Sequence, residues 1–358
     1  MKKTSRRSFL KAAARGGVGL LVLPNILPRS LFAADLPGKR IHVAQIGCGR
    51  EGRVDMSGVM AHPTARIVAV CDLDSKRLAA GKKLAAFALT EPQAGSDAGA
   101  VRTTAIRDGD HYVMNGTKQW ITNGGEAEIY SVIALTNPAK GPRGASCIVV
   151  EKGTPGFTFG KKEDKLGIRA SATRELIFQD CRVPVENCLG REGMGFITAM
   201  KTFDVSRPGV GAQAVGIAAG AFDLALEYAC TRRQFGSPVG SFQGLRFMLA
   251  DMATKIEAAR ALVYATAKYI DTKPKERPTL YSAMSKCFAS DVAMEVTTDA
   301  VQIFGGYGYM HDYPIEKYMR DAKITQIYEG TNQIQRDEMS KTLISNFHSR
   351  RPVAARAA

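Results

Sequence analysis

Phe87-Ala88-Leu89-Thr90-Glu91-Pro92-Gln93-Ala94-Gly95-Ser96-Asp97 and, further on, Trp120-Ile121-Thr122-Asn123-Gly124 lie where short apolar runs alternate with turn residues. That texture begins at Leu84. His111-Tyr112-Val113-Met114, then Asn115-Gly116, then Lys118-Gln119-Trp120-Ile121-Thr122 read as a tight hairpin, because Asn-Gly suits a turn that needs positive φ. Further strands are expected at 129–136, 145–151 and 174–179, with Gly, Pro and Asn clusters between them. Residues 84–188 are therefore expected to form a compact antiparallel barrel or sandwich.

Downstream the period changes. Residues 193–233, 241–272 and 279–304 carry helical periodicity, interrupted at Gly236-Ser237-Pro238 and again between Pro274 and Pro278. Rich in Ala, Leu and Met with few breakers, they predict a bundle of long antiparallel helices over 189–346, with 347–358 as a tail. A shorter helix is expected after Gly330, its N-terminus facing the cleft.

The two opening strings resemble the middle domain of acyl-CoA dehydrogenases, and the resemblance runs with spacing intact to about Ile344. It implies FAD as cofactor. The backbone at Phe87, Leu89 and Thr90 and the Ser96 hydroxyl would lie along the flavin, with Ser96 also near substrate. Trp120 would pack on the isoalloxazine ring, with Ile121 beside it, and Thr122 would donate to the hydride-accepting nitrogen. A flat apolar cofactor asks for an aromatic wall and a few placed polar groups. Taken alone, Trp120 would read as a core aromatic.

Three strings in the helical part carry the rest of the resemblance. Arg232-Arg233-Gln234-Phe235-Gly236 and Gln302-Ile303-Phe304-Gly305-Gly306 imply contacts from Arg232, Gln234, Phe235, Gln302 and Gly306 to the adenosine and pyrophosphate end of an FAD bound by a neighbouring subunit. A homodimer or homotetramer would follow. Singly, Arg232 reads as a surface charge and Gly305-Gly306 as a turn. Ile327-Tyr328-Glu329-Gly330-Thr331-Asn332-Gln333 resembles the catalytic loop, with Glu329 as general base, Tyr328 and Gly330 beside the substrate, and Thr331 and Gln333 reaching FAD. Some family members place the base before an arginine on an earlier helix; here that arginine is Arg207 and its predecessor is Ser206, which cannot serve. Asp204 and Arg207 are expected to meet the CoA moiety. The alternative for Glu329 is a glutamate in a solvated loop.

Upstream of Leu84 the chain has another character. Residues 1–83 hold 16 Lys/Arg against 5 Asp/Glu, whereas 84–358 hold 33 against 29, so the formal charge of +15 is mostly N-terminal and does not argue for a nucleic-acid partner. Ser5-Arg6-Arg7-Ser8-Phe9-Leu10-Lys11, followed by an apolar stretch from Ala12 to Leu23, resembles a twin-arginine export signal over 1–34. That stretch is shorter than the ~20 residues of a stable membrane anchor. Over 38–83, Gly47, Gly49 and Gly52 between two apolar runs, with Asp72 closing the second, predict a single βαβ unit of nucleotide-binding type. It resembles the start of the glucose–fructose oxidoreductase-like (Gfo/Idh/MocA) dehydrogenases, and one such unit without further strands reads as vestigial. Seven scattered cysteines and five unclustered histidines imply neither a disulfide framework nor a metal site.

The expected whole is an α+β multidomain chain: one βαβ unit, an antiparallel β barrel or sandwich, then a long-helix bundle. Its expected activity is α,β-dehydrogenation of an acyl-CoA, with electrons passing to an electron-transfer flavoprotein. The family's leading all-helical domain has no counterpart in the residues before Leu84, which predicts an open and impaired cleft. An exported NAD(P)-dependent oxidoreductase and a non-catalytic chimera are the alternatives. The signal points to the periplasm, the acyl-CoA chemistry to the cytoplasm.

Overall fold

The computed structural model describes residues 41–45, 65–70, 84–273 and 275–350. β1 (Ile41–Gln45) and β2 (Ala65–Val70) pair in parallel, Ile41 opposite Ala65. Gly47, Gly49, Gly52, Asp72 and the signal-like residues 1–34 lie outside the described residues.

A second sheet of seven strands curls into the β domain: β3 (Ala85–Ala88), β4 (Thr104–Asp108), β5 (His111–Thr122), β6 (Ile129–Leu135), β7 (Ala145–Glu151), β8 (Phe157–Phe159) and β9 (Thr173–Pro184). The order is β3-β6-β4-β5-β9-β8, with β7 antiparallel on the other edge of β6. β3 and β4 both run parallel to β6, one beside its start and the other touching its end, so the sheet is not wholly antiparallel. Every residue of β6 is buried, as in a strand covered on both faces. One cover is the barrel core of Tyr112, Met114, Tyr130, Phe157 and Phe178. The other is a cluster of Ile133, Leu135 and Ala145 with Ala199 of the first long helix.

The hairpin expected at Asn115-Gly116 is not there: β5 runs straight through it for 12 residues. The turn is Gly109-Asp110, with Gly109 at φ +62°. Gly116 instead sits at a register shift, and a Cβ on it would come within 2.7 Å of the Thr103 backbone. The glycine serves a close approach within the sheet, and Asn115 ties to Asp180 across β9.

Five helices follow: α1 (Gly195–Thr231), α2 (Gln243–Thr272), α3 (Thr279–Phe304), α4 (Ile315–Thr325) and α5 (Asn332–Arg350). The three long ones match their expected spans to within two residues; α4, only 11 residues long, was not anticipated. A two-residue ribbon, β10 (Arg233–Gln234) with β11 (Ser237–Pro238), joins α1 to α2. Ala214, Ala218, Ala221, Ala225 and Ala229 form a fully buried stripe on α1, facing Ala289, Ala293 and Ala300 of α3. Small side chains at helical spacing let the two axes approach closely. α1 is long and apolar enough to cross a membrane, but this stripe is core. Pro208 lacks the N–H that would bond the Asp204 carbonyl four residues back, and the Ser282 hydroxyl of α3 donates to that carbonyl instead.

The β domain and bundle meet at the start of α1. Gly195 lies so close to Ser146 that a Cβ would sit 2.3 Å from its carbonyl carbon. Phe87 of β3 packs edge-on against Phe203 of α1 at 5.8 Å.

Candidate active site

On the sheet, β5 breaks its alternation between Lys118 and Ile121, where its register against β9 shifts. Lys118 and Ile121 both turn inward, and Trp120 is pushed out at φ +56° with 59% of its surface exposed. A left-handed tryptophan is strained by ~1–3 kcal/mol and persists only where its surroundings over-determine it. Ile121 faces the core, so only its main chain is available to a ligand. Thr122 and Ser96 are exposed and Thr90 is half-buried, and none of these three hydroxyls has a partner among the described residues. An exposed aromatic ring beside unspent hydroxyls fits the face of a flavin.

A buried ion pair that sequence reasoning missed locks this face together. Lys118 Nζ lies 2.6 Å from Glu91 Oε1 and donates to the Leu89 carbonyl at 3.0 Å. Glu91 also accepts the Arg102 and Thr103 N–H groups and the Gln93 amide, at 2.7, 3.0 and 2.7 Å. Burial by itself would raise the Glu91 carboxyl, but the Lys118 charge and these donors hold it below the ordinary carboxylate range. The Gln119 N–H reaches the Thr90 carbonyl at 2.8 Å. The loop carrying Thr90 and Ser96 is thus pinned to the strand carrying Trp120 and Thr122.

The second half of the site is the loop between α4 and α5. Glu329 adopts φ +53° there, a second strained non-glycine residue. Burial raises its carboxyl, and the hydrogen bond from Ser206 and the charges of Arg207 and Lys286 offset part of that rise. Ser206 Oγ donates to Glu329 Oε2 at 2.7 Å. No partner for the Glu329 N–H is found among the described residues. Gly330 sits at φ +92°, where a side chain would be strained, and a Cβ there would meet the Gln335 amide at 2.6 Å. Tyr328 donates its hydroxyl to Gln213 of α1, and burial pushes that phenol well up. Thr331 caps α5, its hydroxyl accepting the Ile334 N–H at 3.3 Å, while Gln333 is exposed on the first turn. Phe203 links the two halves, touching Phe87 and lying 6.0 Å from the Arg207 guanidinium.

Asp204 and Arg207 differ from expectation. They are 5% and 6% exposed, and their charged ends point inward. Asp204 binds Arg277 at 2.9 Å, and Arg207 Nε donates to the Glu329 carbonyl at 3.2 Å. Desolvated charges need such internal partners, and these leave little surface for CoA.

The residues expected at the adenosine end gather at the far end of the bundle. Phe235, at φ +50°, is 93% exposed, and Gln234, Gln302 and Gly306 are exposed as well. Arg232 lies 5.3 Å from the Tyr307 ring and lines a cavity of about 410 Å³ with Tyr228, Phe304 and Tyr313. From Arg207, which touches Glu329, to Thr231 at the end of α1 is ~36 Å of helix. One chain therefore cannot bring both groups to the same end of one cofactor.

Two family profiles match: "acyl-CoA dehydrogenase, middle domain" over residues 86–181 and "acyl-CoA dehydrogenase, C-terminal domain" over 193–344. A short-chain specific acyl-CoA dehydrogenase of Clostridium acetobutylicum is 55% identical over 260 residues, 72% of this chain and 68% of that protein. Butyryl-CoA dehydrogenase from Megasphaera elsdenii matches with a TM-score of 0.73 and 54% identity, over 75% of this chain and 70% of that one. A chain in the structure of the electron transferring flavoprotein of Acidaminococcus fermentans matches with a TM-score of 0.72 and 58% identity over the same shares, 75% and 70%.

Proposed function

The chain belongs to the acyl-CoA dehydrogenase family, and from that premise we propose that Glu329 takes the α-proton of an acyl-CoA thioester as a hydride leaves the β-carbon, giving the enoyl-CoA. FAD is the family's cofactor and, when bound, supplies the hydride acceptor. The observation that carries this reading is the Glu329 loop: a strained residue whose carboxyl burial has raised, beside its own main-chain N–H, which has no partner among the described residues. A raised carboxyl is a stronger base toward a weakly acidic C–H. The N–H is a donor for the thioester oxygen as negative charge builds there. Phe87, Leu89, Thr90, Ser96, Trp120, Ile121 and Thr122 would hold the flavin ring, and Thr331 and Gln333 its nearer chain.

The remaining roles follow from that assignment. Arg232, Gln234, Phe235, Gln302 and Gly306 would hold the adenosine end of the FAD of a second copy, which the ~36 Å separation along α1 supports. An electron-transfer flavoprotein would take the electrons, and a short acyl chain suits the short-chain specific relative. Residues 1–34 would serve export and 38–83 would be a vestigial nucleotide-binding start; the parallel pairing of β1 with β2 supports the latter. NADH should then fail to bind, and whether the chain is exported is decided by fractionating cells that express it.

The deciding experiment is the visible spectrum of the purified protein with FAD, before and after anaerobic addition of butyryl-CoA. Bleaching is expected for the wild type and not for Glu329→Gln. A variant that bound substrate and bleached at the wild-type rate would remove Glu329 from the chemistry.

A further inference from the structure

Behind the Glu329 loop lies a buried ammonium that the chemistry above does not use. Lys286, on α3, exposes no surface. Its Nζ donates to the Gly330 carbonyl and to Asn332 Oδ1, each at 2.9 Å, so its hydrogen-bond partners are a carbonyl and an amide rather than a carboxylate. A lysine gives up its hydration at a large free-energy cost, and burial pushes this one down to about 8.

The neighbouring contacts show what the ammonium holds. The Glu329 carbonyl accepts from Arg207 Nε at 3.2 Å and Gln335 Nε2 at 3.1 Å. The Gly330 carbonyl accepts from Gln335 Nε2 and Lys286 Nζ, both at 2.9 Å. In a trans peptide the N–H opposes the carbonyl, so two captured carbonyls turn the Gly330 and Thr331 N–H groups away from the lock. Capturing them also fixes the backbone on the C-terminal side of Glu329, and with it the direction of the side chain. A left-handed glutamate persists only if its surroundings over-determine it, and these three donors supply that constraint. Asn332 ties the lock onward, its amide bonding Ser290 at 2.8 Å and Asp291 at 2.7 Å.

We propose that Lys286 is a positioning residue of the reaction: its ammonium holds the Glu329–Gly330 segment in the conformation that presents the base. This rests on the assignment of Glu329 as the base. Glu329 is faced from α1 by Ser206 and Arg207, with Asp204 behind the latter, from α3 by Lys286, and from its own loop by Tyr328. Of these, Arg207 and Lys286 both bond the loop and carry charge, Arg207 at the Glu329 carbonyl and Lys286 at the Gly330 carbonyl.

The test uses the full chain with FAD, as wild type, Lys286→Met and Lys286→Gln, with butyryl-CoA as substrate. In Lys286→Met, amide exchange across residues 324–335 should rise while α2 stays protected, and kcat should fall about tenfold with KM nearly unchanged. The acid limb of kcat/KM should move up by about 0.5–1 pH unit. Lys286→Gln keeps a donor without the charge, so it should recover loop protection but retain the shifted limb. A folded Lys286→Met with wild-type exchange, kcat and acid limb would overturn the inference. Loss of the cooperative melt in both variants would also overturn it, because Lys286 would then be structural. If the wild type itself failed to bleach, both this inference and the proposed function would fall; bleaching with indifferent variants would sink this one alone.

Discussion

Replacing Lys118 by methionine should destabilise the β domain far more than any exposed substitution, and should loosen its hold on FAD. The ammonium has no solvent exposure, and its removal leaves Glu91 buried without its charged partner. Breaking one side of a buried pair typically costs 3–5 kcal/mol. Here the two main-chain N–H donors and the Gln93 amide still reach Glu91, so the effect should lie near the lower end, ~3 kcal/mol. At roughly 1.3–2 °C per kcal/mol for a chain of this size, Tm should fall by about 4–6 °C. The same change frees the Leu89 carbonyl, and with it the loop that carries Thr90 and Ser96, so the apparent Kd for FAD should rise. Differential scanning fluorimetry and flavin fluorescence titration read the two effects. Adding Glu91→Gln to Lys118→Met should restore at least half of the lost Tm, because the uncompensated charge is then gone. A Lys118→Met protein that melted within about 2 °C of wild type would refute the reasoning, as would a double variant that melted below the single one.

Three further outcomes follow. Trp120→Gly should leave the FAD-free protein as stable as wild type or up to ~1–3 kcal/mol more stable, since it relieves the strain at φ +56° and removes a mostly exposed ring, yet it should weaken flavin binding; a lower melt would contradict this. Because burial raises Glu329, the folded chain binds more protons than the unfolded one between the ordinary and the raised values, so stability falls as pH rises through that window. Glu329→Gln should therefore melt at or above wild type at pH 8 and show no such gain at pH 4, while the wild-type bleaching rate falls as pH drops through the raised value. Arg277→Ala removes the nearer partner of buried Asp204, leaving Arg207 at 3.9 Å, and should lower stability by ~1–3 kcal/mol by urea titration.

What was legible in the chain was what depends on local pattern. The three long helices are apolar, alanine-rich runs of 26 residues or more, too long for strands, which made their type and their ends legible. β6 and β7 are continuous apolar runs bounded by turn residues and were equally plain. The identities of Trp120, Phe235 and Glu329 could be singled out by motif, but their shared left-handed backbone could not. That conformation is imposed by neighbours far away in sequence, such as Arg207 and Gln335 around Glu329. Asn115-Gly116 has turn chemistry, yet pairing with β9 kept it in a strand, a tertiary contact overriding a local preference.

The sequence by itself determined the order and kind of the longer elements and the residue types that a flavin and a base require, because both are written in short windows. Only the tertiary structure decided which charges are buried and what they hold. Glu91 pairs with Lys118 across 27 positions, and Lys286 grips Gly330 across 44. Asp204 and Arg207 turn inward to partners on α3, its approach and the Glu329 loop. Such pairings follow from how helices and sheet pack, and desolvation then makes them obligatory, since a buried charge without a partner would be too costly to keep.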